Sequence, residues 1–229
     1  ASGTIEKIGK DVNGWVVGQK VMAFCKHKSY ASHAVISPDL LIPLPKSFTM
    51  EQGAAFPVVY TTAHMMMFNQ GNLNKGGSIL IQGAGGGVGT AAIQLAKSKG
   101  AYSIGTASSW KHKRLKEMGL DCCIDYSIEN VFEKVMKFTN GRGVDVCIDP
   151  IGGKSWKNSY NALAELGKLI VFGNQTLVSG FRLNPITIIK EFISITKFSP
   201  MKLIPRNKGI LGYHLGYLNK SQDQVKKAI

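Results

Sequence analysis

Hydrophobic and polar residues alternate with two different periods along this chain of 229 residues. In residues 1–46 the apolar positions form short alternating runs that glycines and prolines interrupt, a pattern typical of short strands. The runs predict strands at Thr4–Ile8, Gly18–Phe24 and Tyr30–Ile36. Strands of this length and spacing indicate a small β-barrel or part of one.

From Met50 onward the apolar period becomes longer, and helices are predicted at Glu51–Ala55 and Tyr60–Asn69. The largely apolar run Ser78–Gln82 lies between glycines. A short apolar run of this kind is typical of a strand that is buried on both faces of a parallel sheet. Helices and strands alternate from there on, which predicts an α/β fold with a doubly wound parallel sheet of the Rossmann type. The helices are predicted at Val88–Lys99, Trp110–Met118, Ile128–Thr139 and Lys154–Ala164, and the strands at Tyr102–Thr106, Cys123–Tyr126, Val144–Asp149 and Lys168–Phe172.

The segment after Gly180 holds one more apolar helix, Ile186–Phe198, and one more strand, Gly209–Tyr213. The helix suits the core or a subunit interface, and a helix lying on a membrane surface is the alternative. No stretch reaches the ~18 uninterrupted apolar residues of a membrane-spanning helix.

The chain is basic, with 28 Lys and Arg against 14 Asp and Glu, and it has only four cysteines. So few cysteines exclude a disulfide scaffold, and we expect a reduced, cytoplasmic protein. The basic excess fits a solvated surface, an anionic small ligand, nucleic acid or an acidic membrane. Nucleic acid is not expected, because neither a basic helix nor an aromatic-lined basic groove is present. Peripheral association with vesicle or organelle membranes stays open, because residues 181–229 carry nine basic and two acidic residues.

The strongest local motif is the glycine-rich segment Gln82–Thr90, which follows a predicted strand and opens a predicted helix. Ala84, Gly86 and Gly89 occupy the three small-residue positions of the dinucleotide fingerprint, with alanine in place of the first glycine. These positions serve a tight turn, close approach of the backbone to a diphosphate, and packing of the helix on the strand. A dinucleotide site is therefore predicted, and a glycine-rich turn without a ligand is the alternative.

The residues after the second predicted strand favour NADPH over NADH as the dinucleotide. An NAD site usually places a carboxylate there, but residues 101–116 contain none. Hydroxyl and basic side chains gather instead, and these suit a 2′-phosphate; they are Ser108, Ser109, Lys111, His112, Lys113 and Arg114. Lys111 and His112 lie nearest the strand end and are the better candidates, while the others suit the solvated face of the next helix.

Several stretches together resemble the zinc-independent quinone oxidoreductases of the medium-chain dehydrogenase/reductase superfamily, and most of all their VAT-1 branch. These stretches are Gly14–Phe24, Ala54–Ala63, the glycine-rich loop, Gly105–His112, Ile124–Tyr126, Asp149–Gly153 and Gly212–Leu218. The resemblance implies a partial GroES-like β-barrel domain over residues 1–56. It further implies a Rossmann NADPH-binding domain with a C-terminal helix and edge strand over residues 57–229. Family members have further chain on both sides of the matched region, so we expect either part of a longer protein or a shortened relative.

The resemblance also implies roles for individual residues around a cofactor bound between the two domains. Gly85, Gly86, Gly87 and Val88 correspond to diphosphate contacts, and Ser108, Lys111 and Tyr126 to adenosine-phosphate contacts. Gly173 and Asn174 correspond to neighbours of the nicotinamide half, and Thr62 to a neighbour of the nicotinamide or substrate. No structural zinc is expected, because the closely spaced cysteines of the zinc-dependent relatives are absent.

These observations predict an NADPH-dependent oxidoreductase that passes hydride to a quinone or to an alkene conjugated to a carbonyl. No catalytic residue is identified, because no nucleophile–base pair or pair of carboxylates stands out. Two alternatives stay open: a nucleotide-binding protein of vesicles or membranes with little catalysis, and a truncated, inactive relative. A homodimer is predicted to form through the strand Gly209–Tyr213, since a free edge strand readily pairs.

Overall fold

The computed structural model describes residues 1–25, 29–175 and 198–218. The chain divides into two compact units, Ala1–Thr61 with the chain from Leu215 onward, and Thr62–His214. The predicted helix Ile186–Phe198 lies, except for its last residue, outside the described residues. In the part of the chain that is described, no helix is both long enough and apolar enough to cross a membrane.

The first unit contains a three-stranded antiparallel sheet in the order β1-β2-β3. Its strands are β1 (Ser2–Thr4), β2 (Lys20–Ala23) and β3 (Leu41–Pro43), and the short 3₁₀ turns Pro38–Leu40 and Leu215–Tyr217 belong to the same unit. The predicted first strand starts and ends earlier than expected, although Ile5 still exchanges backbone hydrogen bonds with Gly18 and Gln19.

The predicted strand Tyr30–Ile36 is wrong. The segment is irregular, and the side chains of Tyr30 and Val35 are fully exposed. Alternation of apolar and polar residues makes a strand only where another strand offers hydrogen bonds, and the described sheet provides no partner for this segment.

Helix α1 (Met50–His64) replaces the two short helices that the sequence predicts. Thr49 begins it with a capping box, in which the Thr49 hydroxyl accepts from the Gln52 N–H and the Gln52 side chain accepts from the Thr49 N–H. Pro57 lies inside the helix without breaking it. The chain continues as the π-helical turn Met65–Gln70, whose three methionines are buried.

The second unit is built on a six-stranded sheet in the order β6-β5-β4-β7-β8-β9, in which every neighbouring pair is parallel. The strands are β4 (Ser78–Ile81), β5 (Tyr102–Thr106), β6 (Cys122–Ile124), β7 (Val144–Asp149), β8 (Leu163–Val171) and β9 (Gly209–Gly212). This is the doubly wound order of the predicted Rossmann fold. The order in which the chain adds strands to the sheet reverses between β4 and β7, and such folds bind their ligands at this point.

The helices between these strands follow the predicted alternation. They are α2 (Gly87–Lys99), α3 (His112–Glu117), α4 (Val131–Phe138), α5 (Lys154–Asn161) and the short α6 (Pro200–Leu203), with 3₁₀ turns at Ser109–Lys111 and Ile204–Arg206. All four residues of β4 are buried, as expected for a strand covered on both faces. Leu80, Ile104, Ile124 and Leu169, on β4, β5, β6 and β8, belong to one hydrophobic core.

A bulge interrupts β8 opposite β7, where the register shifts between Val144 and Val146. Leu166 lies in this bulge with a φ of 62° and an exposed side chain. Its N–H donates to the carbonyl of Asn207 at 2.8 Å, which ties the bulge to the chain just before β9.

Candidate functional site

A cavity of about 500 Å³ opens at the carboxyl ends of the parallel strands in the second unit. Five segments line it: the loop after β4, the end of β5 with the turn after it, the segments that follow β6 and β7 into α4 and α5, and the residues after β8. The lining residues are Gln82, Gly83, Gly85, Gly86, Thr106, Ala107, Ser108, Lys111, Tyr126, Val131, Ile151, Ser155, Asn158 and Gln175. Its volume falls in the range of small-molecule sites, and it lies where doubly wound folds bind ligands.

The loop between β4 and α2 presents backbone groups to this cavity. Gly86 begins α2 without a side-chain cap, so the N–H groups of the first helical turn keep no acceptor within the helix. Such N–H groups, at the positive end of the helix dipole, favour an anion. A side chain at Gly89 would place its Cβ 2.6 Å from the Gly83 carbonyl oxygen, so only glycine lets the helix pack this closely on the loop.

A chain of buried hydrogen bonds fixes the strand that leads into the loop. The Gly83 N–H donates to the Thr106 hydroxyl (3.1 Å), and this hydroxyl donates to Gln82 Oε1 (2.8 Å). Gln82 Nε2 donates to the Ser159 hydroxyl (3.0 Å), which donates to Asp149 Oδ2 (2.7 Å). The chain thereby connects β5, β4, α5 and β7 beneath the cavity.

Asp149 is the fully buried anchor of these hydrogen bonds. Its Oδ2 also accepts from the Ser155 hydroxyl, and its Oδ1 accepts from the Ile151 N–H, each at 2.7 Å. Burial raises the pKa of the Asp149 carboxyl, although the hydrogen bonds from Ser155, Ser159 and the backbone act in the opposite direction. The carboxyl therefore depends on these donors to remain ionised in the interior.

One end of the cavity carries hydroxyl groups and a cation. The Ser108 hydroxyl lies 3.3 Å from the Tyr126 hydroxyl. The Lys111 side chain lies across Gly85, and its Nζ is 4.9 Å from the centre of the Trp110 ring. Among the described residues that line the cavity, Lys111 is the one that carries a charge.

Asp125 holds the backbone around this end in place. It accepts from the N–H and hydroxyl of Ser127 and, through Oδ2, from the Ser109 N–H at 3.0 Å. These donors, with the Ser127 hydroxyl as the largest contribution, lower the pKa of Asp125 to about 2. Asp125 is thus ionised, and its carboxylate oxygens are engaged by Ser109 and Ser127. It is absent from the lining of the cavity.

The structure brings five of the predicted site residues to the cavity: Gly85, Gly86, Ser108, Lys111 and Tyr126. Ala84, Gly87, Val88 and Gly89 belong to the same loop and helix start but do not line it, and Ala84 is fully buried beside Gly105. His112 also lies outside the lining, with its Nε2 2.9 Å from the Ala107 carbonyl oxygen.

The residues predicted for the nicotinamide half do not line this cavity, although their neighbour Gln175 does. Gly173 lies close to Pro150, whose carbonyl accepts from the Gln175 N–H at 3.0 Å. Thr62 is almost fully buried in α1 and is also absent from the lining. The sequence does not single out Gln82, directly after β4, or Ser155 and Asn158 on α5, although their side chains line the cavity.

Metal ligands are not gathered anywhere in the described residues: no three His, Cys, Asp or Glu side chains are close enough to hold an ion. All four cysteines are free, and Cys147 is buried. The described donors around the cavity are amides, hydroxyls and one ammonium group, which suit an oxygen anion.

Comparison with known proteins places the chain in a family. Residues 87–229 match the family model described as zinc-binding dehydrogenase. The chain belongs to this family, within the medium-chain dehydrogenase/reductase superfamily.

Within that class the chain is similar to synaptic vesicle membrane protein VAT-1 homologs. It is 34% identical to the Danio rerio protein over 229 residues, which are 100% of this chain and 47% of that protein. It is 31% identical to the Homo sapiens protein, again over 100% of this chain, with 58% of that protein covered. The chain therefore spans about half the length of these relatives.

A solved structure with a similar fold is Escherichia coli quinone oxidoreductase complexed with NADPH. The TM-score is 0.83 at 25% sequence identity, and the match covers 99% of this chain and 66% of that chain. The predicted Rossmann architecture is thus confirmed at the level of the fold.

Proposed function

We propose that this chain binds NADPH in the described cavity and belongs to an oxidoreductase that reduces a quinone or an alkene conjugated to a carbonyl. The observation that carries the proposal is the position of Lys111, whose side chain lies across the glycine-rich loop in a cavity whose described lining includes no carboxylate. Family membership and the likeness to a quinone oxidoreductase complexed with NADPH support it.

The residues of the cavity fit the phosphate groups of such a cofactor. The first N–H groups of α2 offer backbone donors, and Gly85 and Gly86 carry no side chain that would keep a diphosphate away. Ser108, Lys111 and Tyr126 offer two hydroxyls and a cation for the 2′-phosphate. When bound, the cofactor supplies the hydride, and the protein binds and orients it.

The remaining site assignments are part of the same proposal. Gly173 and Asn174 would lie toward the nicotinamide half, and Thr62 near the nicotinamide or substrate. His112 serves in this proposal through its contact with the Ala107 carbonyl, which holds the turn that carries Lys111.

Calorimetric titration with NADPH and NADH tests the cofactor, followed by NADPH consumption with a panel of quinones and enones. We expect Lys111→Ala to weaken NADPH binding by roughly ten- to a hundredfold, since it removes charge-assisted bonds, and to leave NADH binding nearly unchanged. Lys113→Ala is the matched control, because Lys113 is an exposed neighbour outside the lining. Tight NADPH binding without turnover on any acceptor would instead favour a binding protein with little catalysis.

We also propose that two copies pair through β9. In the described residues β9 ends the sheet and has β8 as its sheet neighbour, and edge strands readily accept a further strand. Light scattering is expected to give about twice the 24.8 kDa of one chain. A monomeric mass at micromolar concentration would contradict this pairing.

A further inference from the structure

The exposed indole of Trp110 has one described partner of note, the ammonium group of Lys111. Trp110 is 78% exposed, and no other aromatic ring or cation is in contact with it in the described part of the chain. Lys111 Nζ lies 4.9 Å from the centre of its ring, within the distance at which a cation and an aromatic face attract each other.

The Lys111 side chain also contacts Gly85, in addition to the Trp110 ring. A Cβ at Gly85 would lie 2.6 Å from Lys111 Cδ and 3.2 Å from Nζ, so the lysine stem fills the space that a side chain would take. Gly85 does not have a left-handed backbone conformation, and its lack of a side chain is used here for this contact. Lys111 is therefore held between an indole ring and a bare stretch of backbone.

The backbone under Trp110 and Lys111 is fixed independently of these side chains. The Ser109 N–H donates to Asp125 Oδ2 at 3.0 Å, and the Lys111 N–H donates to the Ser108 carbonyl at 3.0 Å. A change at Trp110 thus alters the surroundings of the ammonium group without removing a backbone anchor.

We infer that Trp110 is a positioning residue for Lys111, and that Trp110 and Gly85 together set the preference for a 2′-phosphorylated dinucleotide. This inference rests on the proposed function. A free lysine loses the motion of a four-carbon stem when it binds a phosphate, which weakens binding. A lysine whose stem already lies over Gly85 loses less motion when it binds a phosphate. The resulting gain in affinity is confined to the dinucleotide that carries the 2′-phosphate.

The test measures dissociation constants for NADPH and NADH by calorimetry in a set of variants of the full chain. We expect Trp110→Ala to weaken NADPH binding about three- to fivefold, the size of an exposed cation–aromatic contact, with NADH unaffected. Trp110→Phe keeps an aromatic face and should retain most of the preference. In a Lys111→Ala background Trp110→Ala should have no effect, because Trp110 acts through the lysine.

Gly85→Ala separates two reasons for a glycine at this position. If Gly85 seats Lys111, the alanine weakens NADPH binding in the wild-type background and changes little in the Lys111→Ala background. If Gly85 only allows a diphosphate to approach, the alanine weakens both cofactors equally in both backgrounds, which overturns the inference. Equal loss of NADPH and NADH in Trp110→Ala overturns it as well. Failure of the unmodified chain to bind either cofactor refutes the proposed function itself and is recognised before any variant is compared.

Discussion

Removal of the Ser159 hydroxyl tests whether the buried hydrogen bonds beneath the cavity hold the glycine-rich loop. Ser159→Ala deletes two hydrogen bonds, the one received from Gln82 at 3.0 Å and the one donated to Asp149 at 2.7 Å. A neutral hydrogen bond contributes ~1 kcal/mol and one to a charged group ~1.5–3 kcal/mol. We therefore expect a loss of about 2.5–4 kcal/mol in the free energy of unfolding.

Ser155→Ala is the matched control for this change. Ser155 donates to the same oxygen of Asp149 at the same distance of 2.7 Å, but Gln82 donates its hydrogen bond to Ser159 and not to Ser155. The Ser159 variant should be less stable than the Ser155 variant by roughly 1 kcal/mol, and it should also weaken dinucleotide binding, because Gln82 is no longer held.

Urea titrations at several pH values provide the measurement. Since the folded pKa of Asp149 is raised, this group stabilises the fold most below the ~3.9 of an unfolded aspartate, and the benefit declines as pH rises through the folded pKa. Loss of the Ser159 donor raises that pKa further, so the decline should extend to higher pH. Equal stability of the Ser159 and Ser155 variants would refute the idea that Gln82 is anchored through Ser159.

Three further predictions concern single residues. Asp125→Asn should make the free energy of unfolding depend less on pH in acid. The wild-type carboxyl, with a pKa of about 2, stabilises the fold above ~pH 4 and loses this effect as pH falls toward 2. Denaturant titrations of both forms show whether the difference in their stability shrinks in acid. Gly89→Ala should destabilise the chain by about 1–3 kcal/mol and abolish tight dinucleotide binding, because the new methyl group meets the Gly83 carbonyl; unchanged calorimetry would contradict it. Leu166→Gly should raise the free energy of unfolding by about 1 kcal/mol, because the left-handed backbone no longer strains a side chain that is already exposed; a lower melting temperature would show that the side chain contributes contacts instead.

The parallel sheet could be predicted from the sequence because burial on both faces leaves a direct trace. The run Ser78–Ile81 is apolar after Ser78, and each of its residues is buried. The glycine-rich loop after it could also be predicted, because Gly86 and Gly89 serve the turn and the packing of α2 on that turn, which involve residues close in sequence.

The hydrogen bonds beneath the cavity could not be predicted in the same way. Gln82 and Ser159 are 77 residues apart, and only the strand order brings them together. The one available signal was the change from apolar to polar at the ends of two buried strands, at Gln82 and at Asp149. At Tyr30–Ile36 the alternation of apolar and polar residues predicts a strand that the structure does not contain. Alternation describes a single segment, whereas a strand also requires a neighbouring strand to pair with.

The division of labour around the cavity has an evolutionary consequence. The loop is anchored inward, through Gln82 to Asp149, whereas the turn that carries Ser108 and Lys111 is anchored to Asp125 through the Ser109 N–H. Under the proposed function, a descendant of this chain could change its preference between NADPH and NADH by altering the short segment that carries Trp110 and Lys111. The glycine-rich loop and its buried anchor would stay unchanged, so cofactor preference could change without rebuilding the fold.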